Sequence, residues 1–507
     1  MALARVQAIA LLGLVGHLIE IEVDIADGLP SYTLLGLPDA ALSESTDRVR
    51  PALVNSGFSW PNRKVTVSLT PAWLRKSGSS FDLPIAIALL VAMGEIPQSS
   101  TLGIVFMGEL ALDGGIRFVQ GVLPALLSAL KNRVERAVIP LSNFAEGSMV
   151  QGIALHSAAT LSAVAEFLRE GVFIAQTPQE VNPEAPSHLD LSDVVGQLPA
   201  RYALEISAIG GHHILFIGPP GTGKTMLAER IPSILPPLNQ VSALEVGAIH
   251  SIAGALNQRK ILSTLPPFVA PHHSTTSVGM VGGGSHILRP GACSLAHGGV
   301  LFVDEAPECS PGVLDALRQP LESGSVTITR SVGSVTYPAN FLLVLAANPC
   351  PCGRFNGKGR SCTCTSIQIR RYLNKLSGPL LDRVDIRTYV EAPSRTEMAS
   401  EIPGESSEIV RARVIAARQA SSDRFADCAW TLNAEIPSKD LRMRFRAEKS
   451  AMNFLHVELD NERLSARGFH KVLRLAWSIA DNLGHLIPTR SDVGNAYQMR
   501  EGLDLFP

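Results

Sequence analysis

Charged and aromatic side chains are scarce in this chain, at 18% and 5% of its 507 residues. The 44 basic residues do not outnumber the 46 acidic ones. A globally basic nucleic-acid-binding surface is therefore excluded, and any such contact must come from a local patch. No run of eighteen purely apolar residues occurs, so nothing is expected to span a membrane. Cysteine is limited to seven residues, four of them clustered. That usage fits a reducing compartment rather than a secreted disulfide scaffold, and the expected location is cytoplasmic. The apolar opening Ala8-Ile9-Ala10-Leu11-Leu12 is not followed by an A-x-A cleavage site. Instead Ile19, Ile21, Val23 and Ile25 alternate with Glu20, Glu22 and Asp24. This is the period of a half-buried strand, so the segment is predicted to be folded structure and not a leader. Apolar residues are plentiful, at 46% of the chain. They suffice for packed cores, and at ~150 residues per domain the length predicts about three domains.

One stretch organises the rest. Ile214-Leu215-Phe216-Ile217 runs into Gly218-Pro219-Pro220-Gly221-Thr222-Gly223-Lys224-Thr225, and Met226-Leu227-Ala228-Glu229-Arg230 starts a helix. This is G-x-x-x-x-G-K-T in the strand–loop–helix context of a P-loop. Glycines allow the backbone to wrap closely around phosphates with successive N–H groups turned inward. Lys224 is expected to pair with the β- and γ-phosphates of ATP, and the Thr225 hydroxyl to hold Mg²⁺. The segment 189–197, ahead of a helix through Ala203-Leu204-Glu205-Ile206, is expected to pack beside the nucleotide base.

Further on, Gly299-Val300-Leu301-Phe302-Val303 reads as a strand of a parallel sheet buried on both faces, and it ends in Asp304-Glu305. Ligands bind at such carboxyl ends in open α/β sheets. Asp304 is expected to support Mg²⁺ and Glu305 to polarise the attacking water. The next strand, Phe341-Leu342-Leu343-Val344-Leu345-Ala346-Ala347, ends in Asn348, a polar group placed to orient that water. Between the two strands, 326–330 and 334–337 flank Ser331-Val332-Gly333, a predicted β-hairpin with Arg330 near its tip. The interval after the P-loop helix contains Pro271-His272-His273-Ser274 and Gly279-Met280-Val281-Gly282-Gly283-Gly284. Two histidines without a third ligand at recognisable spacing favour a structural or substrate-contacting loop over a metal site.

Residues 1–175 alternate strands with helices, predicting an α/β domain: strands at 65–69 and 103–108, helices at 83–93 and 122–130, and a tight turn at Asp113-Gly114-Gly115. Pro178, Pro183 and Pro186 mark 176–190 as a linker. The P-loop core is assigned to 191–395. Residues 396–507 read as helices at 408–419, 438–445, 447–459, 469–483 and 491–500, the last opening on a cap-like Ser491-Asp492.

Cys350-Pro351-Cys352 and Cys362-Thr363-Cys364 form C-x-C…C-x-C. Four thiolates could close a tetrahedral Zn²⁺ site, and four reduced, unmetallated thiols are the alternative. Cys293, Cys309 and Cys428 stand alone. Arg354, Lys358, Arg360, Arg370, Arg371 and Lys375 make a local basic stretch, either a DNA-phosphate contact or a solvated charged face.

Two resemblances add to this reading. Lys76-Ser77-Gly78-Ser79-Ser80 and Met107-Gly108-Glu109-Leu110-Ala111-Leu112-Asp113-Gly114 resemble the proteolytic domain of Lon-type proteases, which use a Ser–Lys dyad. Ser80 matches the serine by position. The lysine should fall after Gly121, where the chain has Val122-Leu123-Pro124-Ala125-Leu126, so no peptidase activity is expected.

Gly218 to Thr225, Pro271-His272-His273, Ser294-Leu295-Ala296-His297, Arg318-Gln319-Pro320-Leu321-Glu322 and Asn348-Pro349-Cys350-Pro351-Cys352-Gly353 resemble the YifB/ComM branch of the magnesium-chelatase-like AAA+ ATPases. The similarity covers nearly the whole chain. It implies an α/β AAA+ P-loop core, a helical C-terminal lid, and a Lon-protease-like N-terminal α/β domain without its dyad. Members of the branch are described as ring-forming, among them a hexameric helicase that promotes branch migration. The resemblance further implies that Arg383, in Leu380-Leu381-Asp382-Arg383-Val384-Asp385, reaches the γ-phosphate in a neighbouring subunit. Arg467, in Leu464-Ser465-Ala466-Arg467-Gly468, would be a sensor contacting phosphate from the lid. An arginine suits both tasks because it is always charged and offers several donors. Implied partners are further copies of the chain, DNA, and a protein bound through the N-terminal domain. The implied work is ATP-driven movement on DNA, or a chelatase-like remodelling of a protein partner. Two departures stand out. Ala292-Cys293 replaces the family's Glu-Ile, and Trp477 stands where the family tends to have arginine, on what was expected to be lid surface.

Overall fold

The computed structural model of the protein describes residues 2–176, 189–256, 263–284, 288–330, 333–355, 362–399 and 404–501. Most of the predicted linker (177–188), Ser331 and Val332 of the hairpin turn, and Lys358 and Arg360 of the basic stretch lie outside the described residues.

The N-terminal part is a mixed seven-stranded sheet in the order Ser31–Leu35, Lys64–Thr70, Val15–Ala26, Ala2–Leu12, Ile104–Phe106, Arg136–Pro140 and Ala154–Ala158. The first two strands in the chain pair antiparallel with Val6 opposite Ile21. Alternate side chains leave a strand on opposite faces. Ile19, Ile21, Val23 and Ile25 therefore share one buried cluster with Ala4, Val6, Ala8 and the helix Asp82–Ala92. Ile9 faces the other way, onto the helix Val122–Lys131. Leu244 and Ala248 of the helix Gln240–Ala253 join that second cluster, so the N-terminal part and the core share buried surface.

The core is a five-stranded sheet in the order Phe268–Val269, Val300–Val303, Leu342–Ala347, Ile214–Ile217 and Ile386–Tyr389. Each neighbouring pair is parallel. The apolar runs seen in the sequence serve both faces here. Ile214, Phe216, Val300, Phe302, Val344 and Ala346 pack toward the C-terminal helices. Leu215, Ile217, Leu301, Val303, Leu343 and Leu345 pack toward the hairpin Ser325–Arg330/Gly333–Pro338. Because the strands are parallel, every chain end after a strand emerges at one edge of the sheet and every entry lies at the other. That single fact places the site.

The C-terminal part contains the helices Ser407–Arg424, Lys449–Asp460, Ala466–Leu483 and Arg490–Glu501. Two expectations are corrected. The last helix is capped by Thr489, not Ser491. Thr489 Oγ1 accepts the Asp492 N–H at 3.3 Å while Asp492 Oδ2 accepts the Thr489 N–H at 2.8 Å, a reciprocal capping box. Trp477 is not surface. It is 3% exposed, donates Nε1–H to the Phe445 carbonyl at 2.9 Å, and carries the Arg424 guanidinium 4.1 Å from its ring centroid.

Candidate active site

The P-loop strand, the Asp304 strand and the Asn348 strand run side by side in parallel, so Gly218–Thr225, Asp304–Glu305 and Asn348 emerge together at the carboxyl edge. The loop reverses through Gly221 and Gly223, at φ +76° and +88°, a backbone region that glycine enters without the Cβ clash. Gly218 is equally constrained, since a Cβ there would lie 2.3 Å from the Val390 carbonyl oxygen.

Lys224 is 7% exposed. Its ammonium donates to the carbonyls of Gly218 and Pro219 at 2.7 and 2.9 Å and to Asn348 Oδ1 at 3.2 Å. Burial lowers its pKa, while the Asp304 and Glu305 charges oppose the shift. The Thr225 hydroxyl donates to Asp304 Oδ2 at 2.7 Å. The Thr222 hydroxyl closes the loop onto the Pro219 carbonyl at 2.9 Å. Pro220, Gly221 and Thr225 are exposed, so the rim is open to a ligand.

Glu305 sits at φ +48°, a conformation that costs a non-glycine residue of order 1 kcal/mol and gathers at functional sites. Its neighbour is His273, Nδ1 to Oε2 at 3.5 Å. The sequence assigns that histidine to a structural or substrate-contacting loop, because no linear spacing relates residue 273 to 305. Gln197 was also missed. Its amide donates to the Thr222 and Glu391 carbonyls at 2.6 and 2.8 Å, bracing the loop from the segment that was expected beside the base. An amine, an inward-curving loop and a hydroxyl–carboxylate pair form a donor set that fits a magnesium-bound polyphosphate.

Arg383 and Arg467 are brought together, but elsewhere. Arg383 precedes the strand Ile386–Tyr389, whose Ile386 pairs with Ile214 at the start of the P-loop strand. Both arginines therefore lie at the amino edge, and the four paired residues alone separate the edges by about 13 Å. Arg383 donates to Glu322 and the Pro379 carbonyl, and Arg467 donates to Asp382. A buried network holds this edge to the helices. Lys471 Nζ donates to the Arg383 carbonyl at 2.9 Å and to Asp385 Oδ1 at 2.6 Å, and His212 Nδ1 lies 3.3 Å from Asp385 Oδ2. Burial would raise the Asp385 pKa, but Lys471 and His212 outweigh it and hold the carboxyl well below its usual range.

The four cysteines converge. The Cys350, Cys352 and Cys362 sulfurs lie 3.3–3.6 Å apart, and all four Sγ atoms fall within 4.8 Å of one another. Main-chain N–H of Arg354, then the Cys350 thiol and the Thr363 N–H, pull the Cys352 thiol down to about 6. Arg354, Arg370, Arg371 and Lys375 are exposed nearby, with Lys375 3.7 Å from Glu308.

In the N-terminal part, Ser79 and Ser80 line a cavity of about 440 Å³ together with Arg75, Glu109 and the hairpin residues Val335 and Tyr337. Ser79 donates to Glu109, and Lys76 is fully buried with its amine on the Leu69 and Pro71 carbonyls. The helix after Gly121 turns Val122, Leu123, Ala125 and Leu126 inward. Among the described residues no helix is long and apolar enough to cross a membrane.

Comparison with known proteins gives three family matches: magnesium chelatase, subunit ChlI, over residues 190–398; subunit ChlI of Mg-chelatase over 21–143; and its C-terminal family over 404–500. A Mycobacterium tuberculosis protein is 47% identical over 99% of both chains. YifB of Escherichia coli is 41% identical over 99% of this chain and 97% of its own. Competence protein ComM of Haemophilus influenzae is 41% identical over 96% and 94%.

Proposed function

This chain belongs to the YifB/ComM-type magnesium-chelatase-like AAA+ family, and from that premise we propose a ring-forming ATPase that couples ATP hydrolysis to movement on DNA, including branch migration of joined strands. The observation that carries the reading is the separation of the two arginines from the lysine and carboxylates. A subunit whose own Arg383 and Arg467 lie at the far edge of its sheet can use them only on a neighbour. A head-to-tail interface, repeated, closes into a ring where its rotation closes.

Lys224 and the main-chain N–H groups of 218–225 would hold the phosphates, and Thr225 with Asp304 would hold Mg²⁺. Bound there, the nucleotide supplies the terminal phosphoanhydride that is cleaved. Glu305 takes the proton of the attacking water, Asn348 orients that water, and His273 holds the Glu305 carboxylate at rest. From the next copy, Arg383 and Arg467 add positive charge where it builds up. The C-terminal helices act as the lid, tied to the arginine edge by Lys471, so a change at the nucleotide moves both together. Exposed Arg354, Arg370 and Arg371 supply a local patch for phosphates of DNA.

The test is an ATPase assay with single-stranded, duplex and branched DNA. Stimulation by DNA is expected. An unchanged rate, with no binding at low salt, would move the substrate from DNA to a protein partner engaged through the N-terminal domain.

A further inference from the structure

We propose that Cys350, Cys352, Cys362 and Cys364 bind one structural Zn²⁺, and that this ion sets the position of the P-loop rim. Three observations carry it. First, the spacing fits a single ion. Four sulfurs at ~2.3 Å from a tetrahedral zinc stand about 3.8 Å from each other. Here three of the pairs lie at 3.3, 3.6 and 3.5 Å. That is too far for a disulfide, and all seven cysteines are free thiols. A group confined to 4.8 Å has room for one ion and not for a multi-iron cluster.

Second, one ligand sits in a packed apolar setting. Cys350 is fully buried against Ile369, Tyr372 and Leu373. An apolar shell of this kind shapes a metal site and limits solvent access to it. Four protein ligands leave no open coordination position, which marks the site as structural.

Third, the thiols lie where three separate segments of the site meet. Cys350 follows Asn348 by two residues, so the first pair is anchored to the strand whose Asn348 meets Lys224. Gly353, at φ +74°, brings the loop so close to the P-loop that a Cβ would lie 2.6 Å from Pro220 Cδ. Cys364 precedes Thr365, the cap of the helix Ser366–Leu373. One ion therefore fastens Asn348, Pro220 and that basic helix into one unit.

The experiment is elemental analysis of the full chain, purified without added metal or chelator, beside Cys362→Ser and the control Cys428→Ser. Close to one zinc per chain is expected in the wild type and the control, and almost none in Cys362→Ser. Because a ligand variant can fail to fold, wild-type protein is also stripped with a chelator and re-zinced. ATP affinity should fall several-fold on stripping and recover with zinc. A zinc ratio near zero in freshly purified folded protein, or iron in its place, overturns the site. Full zinc with unchanged ATP affinity after removal overturns its role at the rim. That role rests on the ATPase reading, whereas metal content does not, so the two failures are distinguishable.

Discussion

The two edges of the core sheet are built from the same five strands yet carry opposite chemistry. At the carboxyl edge Lys224 is bonded to Asn348 and Thr225 to Asp304, so the groups that would grip a nucleotide are assembled within one chain. At the amino edge Arg383 is paired with Glu322 and the Pro379 carbonyl, and Arg467 with Asp382. The difference follows from direction. Parallel strands send every following loop to one edge, so a residue preceding a strand cannot share a pocket with residues that follow its neighbours. One chain thus brings the carboxyl-edge groups together by itself and holds its two arginines away from them.

The sharpest way to break that comparison is to remove the lysine. Lys224→Ala should abolish nucleotide binding, because several charge-assisted hydrogen bonds worth about 1.5–3 kcal/mol each are lost together. Retained binding in equilibrium dialysis would undo the assignment of the carboxyl edge. Next, Arg383→Ala should keep nucleotide affinity and lose about 10³-fold or more in turnover. Mixing it with Lys224→Ala should restore part of the rate, since each variant then supplies what the other lacks. No recovery on mixing, with both variants still assembling, would mean that the arginine acts within its own chain. Glu305→Gln should bind ATP normally and slow turnover by about 10²–10⁴-fold, the usual share of a general base, and a normal single-turnover rate would remove Glu305 from that role. The smallest effect is expected from Glu322→Gln. Its side chain is 67% exposed, so its pair with Arg383 is worth no more than about 1 kcal/mol. Freeing the arginine should raise turnover slightly, up to about five-fold. A loss of activity instead would make Glu322 part of the interface and not a resting partner.

How much of this could be read beforehand depended on how local each signal was. Gly218–Thr225 and Asp304-Glu305 were legible because a P-loop is contiguous and a buried parallel strand announces itself as an unbroken apolar run. The alternation through Ile19–Ile25 was legible for the same reason, since a period of two is a property of the strand itself. Trp477 was misread as surface because its place was taken from the family's arginine, whereas burial depends on which helix face the neighbouring elements cover. The Thr489 cap was missed because Ser491 offered an equally good hydroxyl two residues on. His273 beside Glu305 and Gln197 beneath Thr222 could not have been found, because each contact crosses between separate strands or loops.

The sequence by itself determined the strand–loop–helix around Gly218–Thr225, the Asp304-Glu305 pair at a strand end, the strand and helix types, and the four thiols as two C-x-C pairs. All of these are carried by neighbours along the chain. Only the tertiary structure decided that the thiols converge on one point, that His273 meets Glu305, and that both arginines sit at the edge away from Lys224. Those outcomes depend on strand order and direction, which are set by how whole elements pack together and not by any single stretch.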